Sequence, residues 1–349
     1  MKITDIDKNF VQPDADLDTN WIDAKSSCFK LHGVSYDEEN GMYVRLPKSI
    51  AEKTNEGVLR LHTHTAGGRI RFKTDSNHLS VKSLGYTMPI CHMPITGSHG
   101  CSIYVNNVFF NKLSPTVDGA YQEDNITYTG KYLLPKGTKN IDIYLPLYSC
   151  VKEFYIGLED NCQILPADPY RFENPIVYYG SSITQGGCAS RPGNDYEAYI
   201  SRWENVDYIN LGFSGNGKGE PIMAEYISTL NPKIIVMDYD HNAPTVEHLK
   251  NTHYNFYKIL RNRLKNVPIV FISRPDFKGT NLEIERREVI KNTFYKAQEE
   301  GDENVTFIDG ETLFGDEDRD SCTVDSVHPN DLGFYRMAKV IHKHIKKYL

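Results

Sequence analysis

The sequence predicts two domains of different class, an all-β sandwich followed by a three-layer α/β domain. From about Trp21 to Leu165, short runs of alternating or β-branched residues are separated by Gly, Asn, Asp and Pro, which is typical of antiparallel strands. After Pro175, near-continuous apolar runs alternate with segments whose apolar residues recur every three or four positions. Such runs indicate parallel strands that helices cover on both faces. A chain of 349 residues is also longer than most single cores.

The first half contains period-2 runs and no convincing amphipathic helix between them. Because the runs are short and closely spaced, we expect an antiparallel sandwich with a jelly-roll-like arrangement. The clearest runs are Val58–His62, Arg69–Lys73, Ser102–Val105 and Asn140–Leu145.

The second half contains five apolar runs that alternate with five helical stripes. This order predicts a flavodoxin-like domain with a five-stranded parallel sheet. Three prolines, Pro166, Pro169 and Pro175, interrupt both patterns, and we therefore place the domains at 1–168 and 169–349. The predicted strands are Ile176–Tyr179, Tyr208–Phe213, Ile234–Tyr239, Ile269–Ser273 and Val305–Asp309, and the predicted helices lie near 196–203, 223–230, 246–264, 282–299 and 330–348.

Composition argues against several classes of partner. A net charge of −7 gives no general attraction to nucleic acid. The first twenty residues hold no apolar block of the signal-peptide kind, and no later run approaches the ~20 apolar residues of a membrane span. Seven cysteines without a CxxC pair fit a reducing compartment. We therefore expect a cytoplasmic protein that binds neither membranes nor nucleic acid, while the sequence makes no prediction of oligomeric state.

Unusual residues follow the predicted parallel strands. Since ligands bind beyond the carboxyl ends of such strands, these loops are the expected site. They are Gly180–Gly187, Gly212–Gly217 and Asp240–Pro244, together with the last connection, Asp325–Asn330.

The residues in these loops suit acyl transfer. Ser182 is a candidate nucleophile, His328 a candidate base, and Asp325 can orient that histidine from three positions away. Backbone amides of Ser182 and Gly215 and the side chain of Asn242 can surround an oxyanion. Each residue also has a purely structural interpretation, because Gly-Ser-Ser and Gly215 suit turns, and Asp325 and Asn242 suit helix caps.

The four segments resemble, in order and spacing, the sequence blocks of the SGNH (GDSL) hydrolase superfamily. The resemblance covers Pro175 to the C-terminus and implies Ser182 as nucleophile, Gly215 and Asn242 as oxyanion residues, and Asp325 and His328 as the remaining catalytic pair. Ser181 stands where the superfamily usually has aspartate, and Asp240–Ala243 replaces the usual Gly-x-Asn-Asp.

A second resemblance concerns the first half. Met93–Ser98 and Gly100–Tyr104 look like a degenerate Gly-x-Asp-Leu-Tyr motif, with Ser102 in the place of aspartate. That motif marks the β-sandwich domain that precedes the SGNH domain in a group of bacterial hydrolases and carbohydrate esterases.

Other polar residues near the predicted site have two interpretations each. His241 would line the substrate pocket or bond to Asp238 or Asp240, and Arg274 would contact substrate or form a salt bridge to Asp276 or a neighbouring loop. Arg191 has the same ambiguity. Cys188 lacks a basic partner in sequence and is expected to be a small buried residue.

We expect no metal and no cofactor, because ester hydrolysis by a Ser-His-Asp triad needs neither. His62 and His64 would project from one face of a strand, a spacing that suits a metal. No third ligand is apparent, however, and the surface of the sandwich is the favoured interpretation.

These inferences lead to a functional hypothesis. The protein is expected to be a serine esterase that removes O-acetyl groups from carbohydrates, with acetylated oligosaccharides as substrates. The sugar preference comes from the resemblance alone. The alternatives are a short-chain lipid esterase or lysophospholipase, and a sugar-binding protein whose α/β domain has lost activity.

Overall fold

The computed structural model describes residues 19–85, 90–116, 126–275 and 278–349. In its first half, alternating side chains form antiparallel strands because one face of each can be buried while the other meets solvent or the second domain. The strands are β1 (Asn20–Asp23), β2 (Lys30–His32), β3 (Ser35–Asp37), β4 (Met42–Val44), β5 (Arg69–Thr74), β6 (His78–Gly85), β7 (Cys101–Val105), β8 (Val108–Leu113), β9 (Ile126–Leu133), β10 (Lys139–Tyr144), β11 (Glu153–Leu158) and β12 (Ile164–Leu165).

Two sheets pack face to face in this half. One has the order β1-β11-β6-β9, and the other has the order β12-β5-β10-β7-β8 with β2 paired to β5. Buried side chains from both sheets, such as Phe72, Val81, Ile143 and Ile156, share one hydrophobic core. The antiparallel sandwich predicted from the period-2 pattern is therefore confirmed, while its jelly-roll connectivity stays a prediction.

Within the residues described for this half, three short helices interrupt the sandwich, and they correct one prediction. They are α1 (Lys48–Thr54), α2 (Glu56–Leu61) and α3 (Ile95–Ser98). Val58–His62, expected as a strand, lies mostly in α2, where the side chain of Asn55 caps the helix by accepting the N–H of Val58. Val58 and Leu61 are buried at a spacing of three, which suits a helix better than a strand.

The second half is a parallel sheet with helices. Its strands are β13 (Ile176–Gly180), β14 (Tyr208–Gly212), β15 (Ile234–Asp238), β16 (Ile269–Ile272) and β17 (Val305–Ile308), and its α-helices are α4 (Tyr196–Glu204), α5 (Pro221–Ile227), α6 (Val246–Arg263), α7 (Asn281–Glu299) and α8 (Asp331–Ile345). The strand order β14-β13-β15-β16-β17 is the 2-1-3-4-5 order of flavodoxin-like folds. The predicted α/β architecture is confirmed.

The two halves share buried contacts. Arg69 of β5 is fully buried, and its guanidinium donates to Asp207 Oδ1 at 2.5 Å and to the carbonyl of Tyr208 at 2.9 Å. Arg45 donates to the carbonyl of Gly212 at 2.9 Å. These contacts hold the sandwich against β14, next to the strand that leads into the predicted nucleophile. The boundary at residue 168 stays a prediction.

Helix length and polarity bear on membrane contact. None of the helices within the four described segments is long and apolar enough to cross a bilayer.

Candidate active site

The turn after β13 presents Ser182. A Cβ on Gly180 would lie 2.0 Å from Thr184 Oγ1 and 2.3 Å from the carbonyl of Asp238, so the chain can turn here only with glycine. The N–H of Ser181 donates to the Asp238 carbonyl at 3.1 Å, which ties the turn to the neighbouring strand β15. Ser182 is left half-buried at the carboxyl edge of the sheet.

Ser182, His328 and Asp325 form one hydrogen-bonded chain. Ser182 Oγ lies 2.9 Å from His328 Nε2, although 146 positions separate the two residues. His328 Nδ1 lies 2.8 Å from Asp325 Oδ2. Because a carboxylate only accepts hydrogen bonds, Nδ1 carries the proton and Nε2 is free to accept the serine hydroxyl. The structure therefore brings together all three residues predicted as a triad.

Asp325 also organises its own loop. Its Oδ1 accepts the backbone N–H groups of Val327 at 3.0 Å and of His328 at 2.7 Å. Burial raises the pKa of the carboxyl group, but these N–H donors and the imidazole of His328 outweigh burial and lower the pKa to about 2. Asp325 therefore remains a carboxylate throughout the neutral and mildly acidic range.

The predicted oxyanion donors lie in two neighbouring loops. Gly215 is exposed and has φ +69°, and a Cβ there would meet nothing within 4 Å. Asn242 ends a short 3-10 helix, and its Nδ2 donates to the carbonyl of Phe213 at 2.8 Å. A carboxamide nitrogen carries two hydrogens, so one remains for a ligand.

The backbone amides of Ser182 and Gly215 complete this set. Neither N–H has a hydrogen-bond acceptor among the residues that the structure describes. The N–H of Phe213 donates to the carbonyl of Gly180 at 2.9 Å, which ties the Gly215 loop to the end of β13. The two N–H groups and Asn242 Nδ2 are therefore free to donate hydrogen bonds to an oxyanion at the edge of the sheet where Ser182 lies.

His241 is half-buried beside the predicted base. Burial, and to a smaller degree the positive charge of Arg274, lowers its pKa well below the ordinary value, so its imidazole is neutral. In the described part of the chain its imidazole has no hydrogen bond to Asp238 or Asp240, and only its backbone N–H bonds to the Asp240 carboxyl group. Asp238 instead accepts from Thr184 and Tyr196, and Asp240 accepts the N–H of Arg274.

The two arginines with both a substrate and a structural interpretation each have a partner within the protein. Arg274 Nη1 forms an ion pair with Glu283 at 3.1 Å, which matches the salt-bridge alternative with a partner in α7. Asp276 lies outside the described residues. Arg191 donates to Tyr104 OH at 2.6 Å and stacks on Phe109 with its Cζ 3.7 Å from the ring centroid. Arg191 lies in the segment 181–195 between β13 and α4, here called the nucleophile loop, and joins this loop to the sandwich.

One residue beside the predicted base, His92, is not predicted from the sequence. His92, from the sandwich, lies with its ring centroid 5.3 Å from that of His328. Cys188 is buried as expected, but its Sγ lies 3.6 Å from the carbonyl of His92. Burial, and to a smaller degree the charge of Asp325, raises the pKa of its thiol to about 12, so the thiol is not a nucleophile. No local motif marks His92, since it reaches the site only through domain packing.

His62 and His64, whose spacing suits a metal, contact different parts of the protein. His62 follows α2 and its Nδ1 bonds to the carbonyl of Leu59. His64 Nδ1 lies 3.3 Å from Gln185 Nε2, behind the nucleophile turn. Gln185 Oε1 accepts the N–H of Ser214 at 3.0 Å, so the carboxamide links the loops that carry Ser182 and Gly215.

The chain matches two family patterns that together span most of its length. Residues 173–346 match the GDSL-like lipase/acylhydrolase family, and residues 19–164 match the N-terminal domain of SGNH-hydrolase-type esterases. The comparison with curated proteins gives no significant match.

Solved structures of similar fold cover nearly the whole chain. A putative GDSL-like lipase from Bacteroides ovatus is 27% identical, with a TM-score of 0.83 over 95% of this chain and 98% of that one. SsfX3, a salicylyl-acyltransferase from a tetracycline biosynthetic pathway, is 21% identical with a TM-score of 0.76, over 94% and 97%. A family two carbohydrate esterase from Clostridium thermocellum, solved with cellohexaose, is 16% identical with a TM-score of 0.63, over 92% and 100%. The chain belongs to the GDSL-like lipase/acylhydrolase family and is a carboxylic ester hydrolase with the N-terminal domain of SGNH-type esterases.

Proposed function

We propose that this hydrolase removes O-acetyl groups from carbohydrates through a Ser182–His328–Asp325 triad. The observation that carries the proposal is the continuous hydrogen-bonded chain from the hydroxyl of Ser182 to the carboxylate of Asp325, with contacts of 2.9 and 2.8 Å. This arrangement is the one that activates a serine toward an acyl carbonyl.

The reaction has two halves. Ser182 Oγ attacks the acetyl carbonyl carbon while its proton passes to His328 Nε2. The negative oxygen is stabilised by the amides of Ser182 and Gly215 and by Asn242 Nδ2. The bond between the carbonyl carbon and the sugar oxygen then breaks, and His328 protonates the departing hydroxyl.

Water completes the cycle on the acetyl-enzyme. His328 takes a proton from the attacking water, acetate leaves, and the proton returns to Ser182. Solvent reaches this base, because the side chains of His328 and Asp325 are 18% and 36% exposed. Such an open base suits a bulky alcohol such as an oligosaccharide.

The carbohydrate preference draws on the structural neighbours. One of them is described as a carbohydrate esterase in complex with cellohexaose, and another as an acetyl xylan esterase from Butyrivibrio proteoclasticus. Acetylated oligosaccharides are therefore the first substrates to test. A cytoplasmic location stays a prediction.

Hydrolysis of p-nitrophenyl acetate by the parent protein and by Ser182→Ala tests the triad. Ser321→Ala is a matched control, because Ser321 is exposed in the same connection as His328. We expect activity in the parent and in Ser321→Ala, and a loss of about 10³-fold or more in kcat for Ser182→Ala. Equal rates for all three proteins would refute the assignment.

Mass spectrometry of acetylated oligosaccharides after incubation tests the substrate class. A loss of one acetyl mass per turnover is expected with the parent protein and not with Ser182→Ala. Faster hydrolysis of long-chain p-nitrophenyl esters than of the acetate would favour the lipid esterase. Binding of the oligosaccharides without any hydrolysis would favour the sugar-binding protein.

A further inference from the structure

The proposed base is one of three potential metal ligands that lie close together. They are His92 from the sandwich, Cys188 from the nucleophile loop and His328, and one ligand atom of each lies within 4.8 Å of the other two. Cys188 lies in the left-handed region of backbone conformation, with φ +73°. The cluster exists only because the two domains pack together.

The side chain of His92 provides a second, independent observation. Its Nε2 is buried and has no hydrogen-bond partner among the described residues. Buried polar nitrogens normally have a partner, and one without a partner needs an explanation. A metal ion would supply that partner.

The partners of His328 also suit a metal. Its Nδ1 is held by Asp325 at 2.8 Å, so Nε2 is the nitrogen available to a ligand. A histidine that donates to a carboxylate through one nitrogen and ligates through the other is the usual arrangement at zinc sites. The metal would take the nitrogen that otherwise accepts the hydroxyl of Ser182.

We propose that His92, Cys188 and His328 bind one Zn²⁺ ion, and that this ion inhibits the esterase. Zn²⁺ binding would release the proton of the Cys188 thiol to solvent, as it does at cysteine ligands in general. Two imidazoles and the resulting thiolate form a ligand set that Zn²⁺ prefers, with a water as fourth ligand. Ligand atoms around tetrahedral Zn²⁺ lie roughly 3.3–3.8 Å apart, so the cluster must contract by about 1 Å. The ion is no part of ester hydrolysis, since it occupies the base.

Isothermal titration with ZnCl₂ tests binding alone. We expect one Zn²⁺ per parent protein, and Kd values at least about tenfold higher for Cys188→Ala and His92→Gln. Cys91→Ser is the matched control, because this exposed cysteine adjoins His92 but lies outside the cluster. Circular dichroism melts identify any variant that fails to fold, and either variant alone suffices.

Two binding results would overturn the site. One is unchanged Zn²⁺ affinity in the folded Cys188→Ala or His92→Gln protein. The other is loss of binding in Cys91→Ser, which would assign the thiolate to the exposed cysteine. Mg²⁺, which prefers oxygen ligands, should not bind at this site.

The inhibition rests on the proposed function, and its assay separates the two ideas. Hydrolysis of p-nitrophenyl acetate is first measured with EDTA, and absence of hydrolysis there refutes the esterase triad without touching the binding result. With hydrolysis established, we expect saturating Zn²⁺ to lower the rate by at least about tenfold, and excess EDTA to restore it. His92→Gln should hydrolyse the ester in EDTA and resist Zn²⁺. Inhibition of this variant equal to that of the parent would refute the regulatory role.

Discussion

At the scale of single residues, Asp325 divides two tasks between its two oxygens. Oδ2 accepts from the imidazole of His328, and Oδ1 accepts two backbone N–H groups of the same turn. The carboxylate therefore fixes both the tautomer of the base and the loop that carries it. An amide in this place would keep the shape and lose the charge.

For Asp325→Asn we expect kcat toward p-nitrophenyl acetate to fall by about 10³–10⁴-fold, because the wrong histidine tautomer becomes available and the imidazolium loses its counter-charge. Steady-state kinetics measure the effect. Asp316→Asn is the matched control, since it removes an exposed carboxylate from the same connection. A similar small effect in both variants would contradict the role of Asp325.

Asn242 and Asn216 separate oxyanion binding from loop anchoring. Both hold the Gly215 loop, because Asn242 Nδ2 donates to the carbonyl of Phe213 and Asn216 Nδ2 to the carbonyl of Ser214. Only Asn242 is proposed to donate to the developing oxyanion.

Replacing Asn242 with Ala should lower kcat by about 10²–10³-fold, which is the usual loss for one oxyanion donor. Asn216→Ala should lower kcat much less, since it weakens only the loop. The comparison uses kcat values for p-nitrophenyl acetate. Equal losses in the two variants would mean that Asn242 acts by anchoring and not on the oxyanion.

At the scale of elements, α3 packs directly on the nucleophile loop. A Cβ on Gly97 would lie 2.0 Å from the carbonyl of Ala189, and Thr96 Oγ1 donates to the carbonyl of Ser190 at 2.5 Å. Ser190 in turn donates through its N–H to Asp331 in α8 at 2.8 Å. The nucleophile loop therefore contacts α3 of the sandwich on one side and α8, the helix that follows His328, on the other.

Gly97→Ala should therefore lower both stability and kcat, because the methyl group must push α3 away from the loop. Gly137→Ala is the control, since Gly137 has φ +86° and open space around it, and its cost of about 1–2 kcal/mol is backbone strain alone. Urea unfolding and ester hydrolysis are measured for both. Full activity in Gly97→Ala would show that the loop does not depend on α3.

Elements of the α/β domain could be predicted because burial on both faces leaves an unmistakable apolar run, as in Ile176–Tyr179. Period 2 predicts the sandwich strands, but the same criterion misassigns Val58–His62. Val58 and Leu61 are instead the buried residues of a short helix. A five-residue run is too short to separate the two periods.

Site residues could be predicted when their position depends on one domain, and not when it depends on packing between domains or elements. Ser182, Asp325 and His328 could be named because they follow elements in fixed order within one domain. His92 could not, since its approach to His328 depends on how two domains pack. For Arg191 and Arg274, position in the sequence leaves both a substrate contact and a structural contact open, because their partners Tyr104 and Glu283 come from other elements.

At the scale of the whole molecule, a buried cation joins the domains. Arg69 is fully buried between Asp207 and the ring of Tyr208, whose centroid lies 3.8 Å from its Cζ. Removing one partner of a buried ion pair costs about 3–5 kcal/mol, although Asp207 would keep His32, whose Nδ1 lies 2.7 Å from Asp207 Oδ2. The interface should therefore contribute strongly to cooperative unfolding.

Arg69→Ala should lower the free energy of unfolding by about 3–5 kcal/mol in urea titrations. Arg171→Ala is the control, because the side chain of Arg171 is 51% exposed in its pair with Glu204, and such pairs contribute about 0–1 kcal/mol. Equal midpoints for the two variants would mean that Arg69 does not hold the domains together.

The buried histidines give the molecule a dependence on pH. Burial lowers the pKa of His64 and His253 to about 3 and that of His99 to about 4. The pKa values of four more histidines are also lowered, chiefly by burial, in His32, His62, His78 and His241. Below pH 6.5 the unfolded chain therefore protonates these groups to a greater extent than the folded chain does.

Three buried carboxyl groups act in the opposite sense. Burial raises the pKa of Glu197 and Asp238 well above the ordinary values and that of Asp240 to about 6, so these groups gain protons first in the folded state. Among the described residues, seven histidines with lowered pKa values oppose three carboxyl groups with raised pKa values, so we expect the unfolded chain to bind more protons between about pH 4.5 and 6.5.

Stability should therefore be greatest above pH 6.5 and fall as the pH is lowered toward 4.5. Each extra proton bound by the unfolded chain changes the free energy of unfolding by about 1.4 kcal/mol per pH unit. Thermal melts at a series of pH values measure the slope, and His253→Gln should make it shallower, because one titrating group is removed from between Tyr239 and Phe271. A melting temperature that stays constant or rises on acidification would mean that the carboxyl groups dominate.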